Sequence, residues 1–390
     1  MKIENNLNKL KDKKAKSKFL TFLLIVFLIV FFTARYATDE EFRTMIDVKI
    51  LKKEVAESTL TKIDVDLESN PNIFAYDKYI AIFSKNKLSQ YTEDGKKASE
   101  LDINISVPIV DTCGKYLVMA EKDGKKIYLI SGENIIWENT IEGSVSEVNV
   151  NSNGYVSIII RNTTYKSVIV FYSVEGTEQF RSYVSKNYAI CTAISTNNKY
   201  LAIGEVDYSG TILKSFIKII SVEKAQQDPE NSTVYMYESD NGEVVTNINY
   251  QDKENATCMF NTYVQKVGIS SSERIYNITD KDMFVDINLS DSIAIIDKQS
   301  SGLFSYEYEI LLKNTKSKSE SLYILDSDLP KIMTASGDNF ALDLGNEIRI
   351  VSSKGWLIKK YTSNSQIKNI VIGDSIAGVI YKNKIEIIDL

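Results

Sequence analysis

Apolar residues in this chain gather in short runs such as "YIAIF", "YLVMA", "SVIVFY", "FIKII" and "EIRIVS", separated by clusters of Asn, Asp, Gly and Ser. Runs of this length between turn residues predict β-strands, and the chain has only four prolines to interrupt them. The runs repeat. A turn followed by a strand apolar on both faces recurs as "DKYIAIF" at 77–83, "GKYLVMA" at 114–120, "NGYVSII" at 153–159, "NKYLAIG" at 198–204, "DNFALDL" at 338–344 and "DSIAGVI" at 374–380. Units begin near Asn72, Val107, Val145, Ala189, Val244, Val285, Ile332 and Ile367. The unit opening at Val244 fits the pattern least well.

"NIFAYDKYIAIFSKNKLSQY" near the start aligns without a gap with "NIVIGDSIAGVIYKNKIEIIDL" at the end, at an offset of 297 residues. Over seven steps this gives about 42 residues per unit, the length of a four-stranded propeller blade. The pattern therefore predicts an all-β fold, an eight-bladed β-propeller of four-stranded blades, with seven blades as the alternative. The last unit supplies only three strands, at 367–373, 376–381 and 384–389. Residues 60–68, "LTKIDVDLE", place Ile63, Val65 and Leu67 on one face and Lys62, Asp64, Asp66 and Glu68 on the other, as an outer strand with one wet face requires. We read 59–68 as the missing fourth strand, which closes the ring and leaves no open edge.

Ahead of this domain lies "FLTFLLIVFLIVFFTA" at 19–34, an uncharged run slightly shorter than the ~20 residues that span a bilayer, which Lys18 and Arg35 lengthen by snorkelling. Seven lysines precede it and Asp39, Glu40 and Glu41 follow, so the positive-inside bias places the N-terminus in the cytoplasm. Cleavage after Ala34 or Ala37 would put Phe32 or Arg35 where a small residue is needed, which favours an uncleaved anchor. The expected organisation is a basic tail at 1–18, a transmembrane signal anchor at 19–37, a stalk at 38–58 and the propeller at 59–390, outside the cell membrane.

Charge then divides at the membrane. Residues 1–38 carry eight basic and two acidic side chains, leaving 38 basic against 50 acidic beyond them. An acidic ectodomain is not drawn to nucleic acid. Histidine is absent, which removes the usual general base near neutral pH and all His-based metal sites. Cys113, Cys191 and Cys258 allow at most one disulfide and suit buried free thiols. Acidic turns such as "QDKEN" at 251–255 lack the spacing of a calcium loop. No catalytic, cofactor-binding or metal-ligating set emerges.

The segments "KIYLISGENIIWENTIEGS" and "EIRIVSSKGWLIKKY", each with a glycine turn and a tryptophan, resemble the tryptophan-bearing repeats of quinoprotein-like propellers. Trp137 and Trp356 are read as packing between blades. Through "GWLIKKYTS", "ISVEKAQQDPENS" and "IEIIDL", the whole chain resembles a family of single-pass, membrane-anchored propeller proteins of unknown function from low-GC Gram-positive bacteria such as clostridia. That resemblance implies a fold and a location and supplies no catalytic residues.

The functional reading is a non-enzymatic binding or scaffold module for a protein or peptide partner in the cell envelope. The alternatives are a carboxylate-based hydrolase or lyase, a quinoprotein-like enzyme, and a ligand-binding sensor subunit of a membrane complex. Strand direction puts the chain's entry into the closing strand on the face that carries the first-to-second and third-to-fourth turns. Binding is then expected on the opposite face, where "RNTTYK", "EVDYSGTILKS" and "DKQSSGLFSYEY" enlarge the second-to-third hairpins. The candidate partner-binding residues there are Arg161, Tyr165, Tyr208, Leu303, Phe304 and Tyr306.

Overall fold

The computed structural model describes residues 24–38, 46, 61–65, 70–161, 164–300, 306–325, 329–363 and 365–390. The chain divides into two units, Met1–Ala56 and Glu57–Leu390. In the first, residues 24–38 are helical and expose Leu24, Phe27, Ile29, Val30 and Phe32. The helix satisfies its own hydroxyls: Thr33 Oγ1 donates to Ile29 O at 2.7 Å and Thr38 Oγ1 to Ala34 O at 2.9 Å. Among the described residues no helix is long and apolar enough to cross a membrane. Positions 19–23 of the expected span, the tail at 1–18 and the stalk apart from Thr38 and Ile46 lie outside the described residues.

The second unit is a ring of eight four-stranded antiparallel sheets. Blades 1 to 7 occupy residues 72–102, 108–140, 144–184, 188–238, 245–277, 282–325 and 332–362; blade 8 combines residues 369–389 with the strand Thr61–Asp64. Eight blades, not seven, is the count. The unit starts read from sequence fall within three residues of the first strands, the largest error being Val285, where the strand opens at Asp282. A bulge between Asp282 and Phe284 shifts the apolar alternation there and hides the true start. The poorly matching fifth unit still forms all four strands.

Second strands such as Tyr79–Ser84, Tyr116–Glu121 and Ile376–Ile380 are buried over nearly their whole length, because blades pack face to face on both sides of them. Outer strands alternate instead, as in Glu320–Leu325. First strands of adjacent blades meet one another around the central channel.

The seam is a regular antiparallel pair. Thr61 lies opposite Ile387, Lys62 opposite Glu386, Ile63 opposite Ile385 and Asp64 opposite Lys384. Ile63 is buried in the core between blades 8 and 1 with Ile80, Ile82, Ile385 and Ile387. Of the expected strand, residues 59–60 and 66–68 lie outside the described residues.

A glycine in a third-to-fourth turn also docks on the preceding blade. Gly95 (φ +73°) sits so close to the closing strand that a Cβ would come within 2.6 Å of Thr61 Cγ2. Gly176 (φ +79°) rests in the same way on Trp137. Trp137 Nε1 donates to Val174 O at 3.1 Å and its ring lies 5.6 Å from that of Tyr172, so this tryptophan does pack between blades 2 and 3. Trp356 lies in the third-to-fourth turn of blade 7, 5.8 Å from Lys354 Nζ.

Candidate partner-binding face

The two ends of the ring are built differently. On the face where the chain enters the closing strand, here the entry face, the first-to-second turns are stitched from blade to blade. Asp77 N donates to Gly114 O at 3.2 Å, Asn151 Nδ2 to Ser195 O at 3.0 Å, Ser290 N to Gly337 O at 2.8 Å and Ser375 Oγ to Asp77 O at 3.0 Å. Gln251 Nε2 reaches Leu289 O at 2.8 Å and Ser292 O at 3.0 Å. The Asp374 carboxylate lies between the turns of blades 7 and 2: a Cβ on Gly337 would stand 2.8 Å from Oδ1, and one on Gly114 4.0 Å from Oδ2. Burial, then the charges of Asp338 and Asp77, raise the affinity of Asp374 for its proton. The acidic "QDKEN" turn is a local cap, with Asp252 Oδ1 accepting from Glu254 N at 2.8 Å and Asn255 N at 2.6 Å.

Inside the channel, carboxylates of one first strand tie down the free edge of the next. Asp111 Oδ2 accepts from Val150 N at 2.8 Å and Asn149 Nδ2 at 2.9 Å, joining blades 2 and 3. Glu147 Oε2 accepts from Thr192 Oγ1 at 3.1 Å, joining blades 3 and 4. Burial pushes Asp111 up to about 6. Burial, then the charge of Asp111, pushes Glu147 up to about 8. The three cysteines are free thiols, and burial followed by the charge of Asp111 pushes Cys113 up to about 12. Among the described residues no group of three or more Cys, Asp or Glu is placed to hold a metal ion.

The far face is open and apolar in patches. First strands of blades 3 to 6 each carry a bulge near that end, between Val145 and Glu147, Ala189 and Cys191, Val245 and Asn247, and Asp282 and Phe284. The first strands of blades 1, 2, 7 and 8 are regular. A bulge leaves its extra residue unpaired and turns it outward, and here Ile190 and Met283 are exposed by 39% and 42%. Beside them the hairpins of blades 3 and 4 raise an aromatic cluster. The rings of Tyr165 and Tyr183 are 4.7 Å apart, and those of Tyr188 and Tyr208 stack at 4.7 Å. Lys166 Nζ stands 5.0 Å from the Tyr188 ring and 5.2 Å from the Tyr208 ring and donates to Lys186 O at 2.5 Å. A hydrogen bond donated to Tyr188, before burial, pushes the Tyr208 hydroxyl up to about 12. Tyr183, Tyr208, Ile212 and Leu213 remain exposed around this cluster.

The structure thus places Tyr165 against Tyr183 and Tyr208 against Tyr188 on neighbouring hairpins of this face and leaves two other sequence candidates apart. Arg161 is exposed and faces Asp123 at 3.6 Å. Tyr306 stands on blade 6 under Lys298 Nζ, 3.7 Å from its ring centroid. Leu303 and Phe304 lie outside the described residues. The sequence reading missed Tyr183, Tyr188 and Lys166 as members of the cluster. The signal was "RSYVSKNYAI", in which two tyrosines flank the connection between blades 3 and 4 on the same face.

Family comparison adds one decisive observation, a match of residues 52–390 to the pattern of DUF5711, a family of unknown function. The chain belongs to DUF5711. Comparison with curated proteins finds no match. Among solved structures, this DUF5711 propeller is similar to BamB from Moraxella catarrhalis, at 12% identity over 85% of this chain and 98% of that one, with a TM-score of 0.45. It is similar to the Myceliophteria thermophila Cps50 (Swd1) beta-propeller domain at 10% identity, over 84% and 99% of the two chains, with a TM-score of 0.47. Kuenenia stuttgartiensis hydrazine synthase matches at 10% identity over 87% and 98%, with a TM-score of 0.42.

Proposed function

We propose that this chain is a membrane-anchored, extracytoplasmic binding or scaffold module without enzymatic activity, which holds a protein or peptide partner of the cell envelope on its far face over blades 3 and 4. One observation carries the reading: Tyr183, Tyr208, Ile212 and Leu213 stay exposed together on that face, whereas no large apolar side chain is exposed among the described residues of the entry-face turns. Aromatic and aliphatic groups gathered on protruding hairpins suit the hot spots of an interface. The cluster is also held in place by its own ring contacts and Lys166, so little side-chain freedom is lost on binding. Anchoring rests on the apolar run at 19–34, the lysines before it and the acidic residues after it.

The test is differential recovery after cross-linking in membranes. Tyr183→Ser combined with Tyr208→Ser and Leu213→Ser is expected to remove a specific partner band at unchanged thermal stability. Gln227→Ala with Glu230→Ala, in the third-to-fourth connection of blade 4, is expected to retain it. Loss of the band only in the second set would move the interface to the entry face and refute this reading.

A further inference from the structure

A cavity of about 430 Å³ opens on the far face between blades 7 and 8, away from the tyrosine cluster; its lining includes Lys331, Asp343, Gly345, Asn346, Ser363 and Gln366. Its walls are fixed by backbone. Lys331 N donates to Asp343 O at 2.8 Å and Ser363 N to Asn346 O at 2.7 Å, while Ser363 Oγ bonds Ser365 O at 2.7 Å. The hairpin between the second and third strands of blade 7 turns at Gly345, φ +91°, whose N–H donates to Asp343 Oδ1 at 2.7 Å. A Cβ at Gly345 would stand 3.4 Å from Lys331 Nζ, so the glycine leaves the ammonium room at the cavity edge.

Two opposite charges therefore line one small space without meeting. Asp343 is only 2% exposed, and one of its carboxylate oxygens accepts from Gly345 N at 2.7 Å. Lys331 is exposed and joins no ion pair among the described residues. A cation entering the cavity would be attracted to this carboxylate and an anion to the ammonium. The two groups form no ion pair with each other among the described residues, so the cavity presents a negative and a positive group together with Asn346, Ser363 and Gln366. A volume of this size is that of a small-molecule site.

We propose that this cavity binds a small zwitterion of the α-amino-acid type, its ammonium on Asp343, its carboxylate on Lys331 and its remaining polar atoms on Asn346, Ser363 and Gln366. The site is separate from the partner surface over blades 3 and 4 and stands or falls without it. The full chain in detergent micelles would be titrated by calorimetry and by NMR with L-alanine and with the dipeptide Ala-Ala, using acetate and ethylamine as single-charge controls. Saturable binding is expected for alanine or the dipeptide and not for either control. Preference for alanine assigns a free amino acid as the ligand, and preference for Ala-Ala assigns the charged ends of a short peptide. Lys331→Met and Asp343→Asn are each expected to weaken binding about tenfold or more; the asparagine keeps an acceptor for Gly345 N and with it the hairpin. Tyr183→Ser with Tyr208→Ser is expected to bind as the parent does. Absence of saturation with both zwitterions, equal binding of acetate, or undiminished affinity in folded Lys331→Met and Asp343→Asn variants would each overturn the proposal.

Discussion

Thr61 lies directly opposite Ile387, and through that pairing a strand from the start of the propeller completes the blade formed by its end. Without Thr61–Asp64 the outer edge of Lys384–Asp389 would lose its ladder, and Ile385 and Ile387 would lose Ile63 from their core. Removal of residues 1–58 is expected to leave thermal unfolding cooperative. Removal of 1–68 is expected to broaden the transition and promote aggregation. Equal melting curves and solubility for the two truncations would disprove the shared blade.

Gly95 offers a single-residue version of the same test. It combines a left-handed φ with so close an approach to the closing strand that an added methyl carbon would stand 2.6 Å from Thr61 Cγ2. Gly95→Val is expected to cost about 1–3 kcal/mol from strain alone, with more from displacement of the closing strand. A melting temperature unchanged from the parent would show that the seam yields freely there.

Trp137 joins blades 2 and 3 by area and by a hydrogen bond to Val174 O. Trp137→Ala is expected to destabilise the propeller by about 3–5 kcal/mol, read by chemical denaturation. Trp137→Phe keeps most of the ring and loses the donor, so it should cost about 1–3 kcal/mol for the carbonyl left without its partner. If Trp137→Phe is as stable as the parent, the hydrogen bond contributes nothing; if it costs as much as Trp137→Ala, the ring area contributes nothing.

The channel carboxyls predict the pH dependence. Folding raises Asp111 from 3.8 to about 6 and Glu147 from 4.5 to about 8, so between these values the folded protein binds more protons than the unfolded chain. Their contribution is complete below the unfolded values and is lost as pH rises through about 6 and then about 8. Glu147 faces Asp111, Thr192 and the thiol of Cys191, and no cation joins it among the described residues. Glu147→Gln should therefore flatten the decline in melting temperature between pH 6 and 9 while changing little at pH 5. Parallel curves for the two proteins would show that Glu147 does not titrate in this window.

Membrane topology is checked by proteolysis. In intact protoplasts of an expressing Gram-positive host, added protease is expected to remove the propeller while a cytoplasmic control survives. A protected propeller, or a mature N-terminus near residue 38, would refute the anchor.

Much of the ring was legible because it depends on local rules. Second strands such as Tyr116–Glu121 are apolar on both faces, and the turns before them carry Gly, Asn or Asp, so period and count follow from the pattern. The closing strand was legible for the same reason, since Ile63 alternates with Lys62 and Asp64. The binding face was read only in part. Tyr165 and Tyr208 stood out in long hairpins, but their partners Tyr183 and Tyr188 come from a strand end and a strand start, and only the register of neighbouring blades brings them together. Bulges such as that at Ile190 left no mark, because one extra residue in a strand looks like ordinary variation in length. The Lys331–Asp343 cavity was invisible for a different reason. Two common charged residues twelve positions apart become notable only when they line one space and fail to pair.

The seam also sets the order of events during synthesis. Ser375 bonds to Asp77, 298 positions away, and the strand pairing beside that bond spans more of the chain still. Seven blades can form by pairing neighbours in sequence, but the eighth must wait until the C-terminal strand has been made and carried across. Closing so long a loop adds little to the equilibrium cost, which grows only with the logarithm of its length. It is slow, however, because non-local pairing is the late step of folding. Each nascent molecule therefore spends that interval with Thr61–Asp64 unpaired, and the yield of folded protein is set by how fast the ring closes relative to edge-to-edge encounters with other unfinished chains.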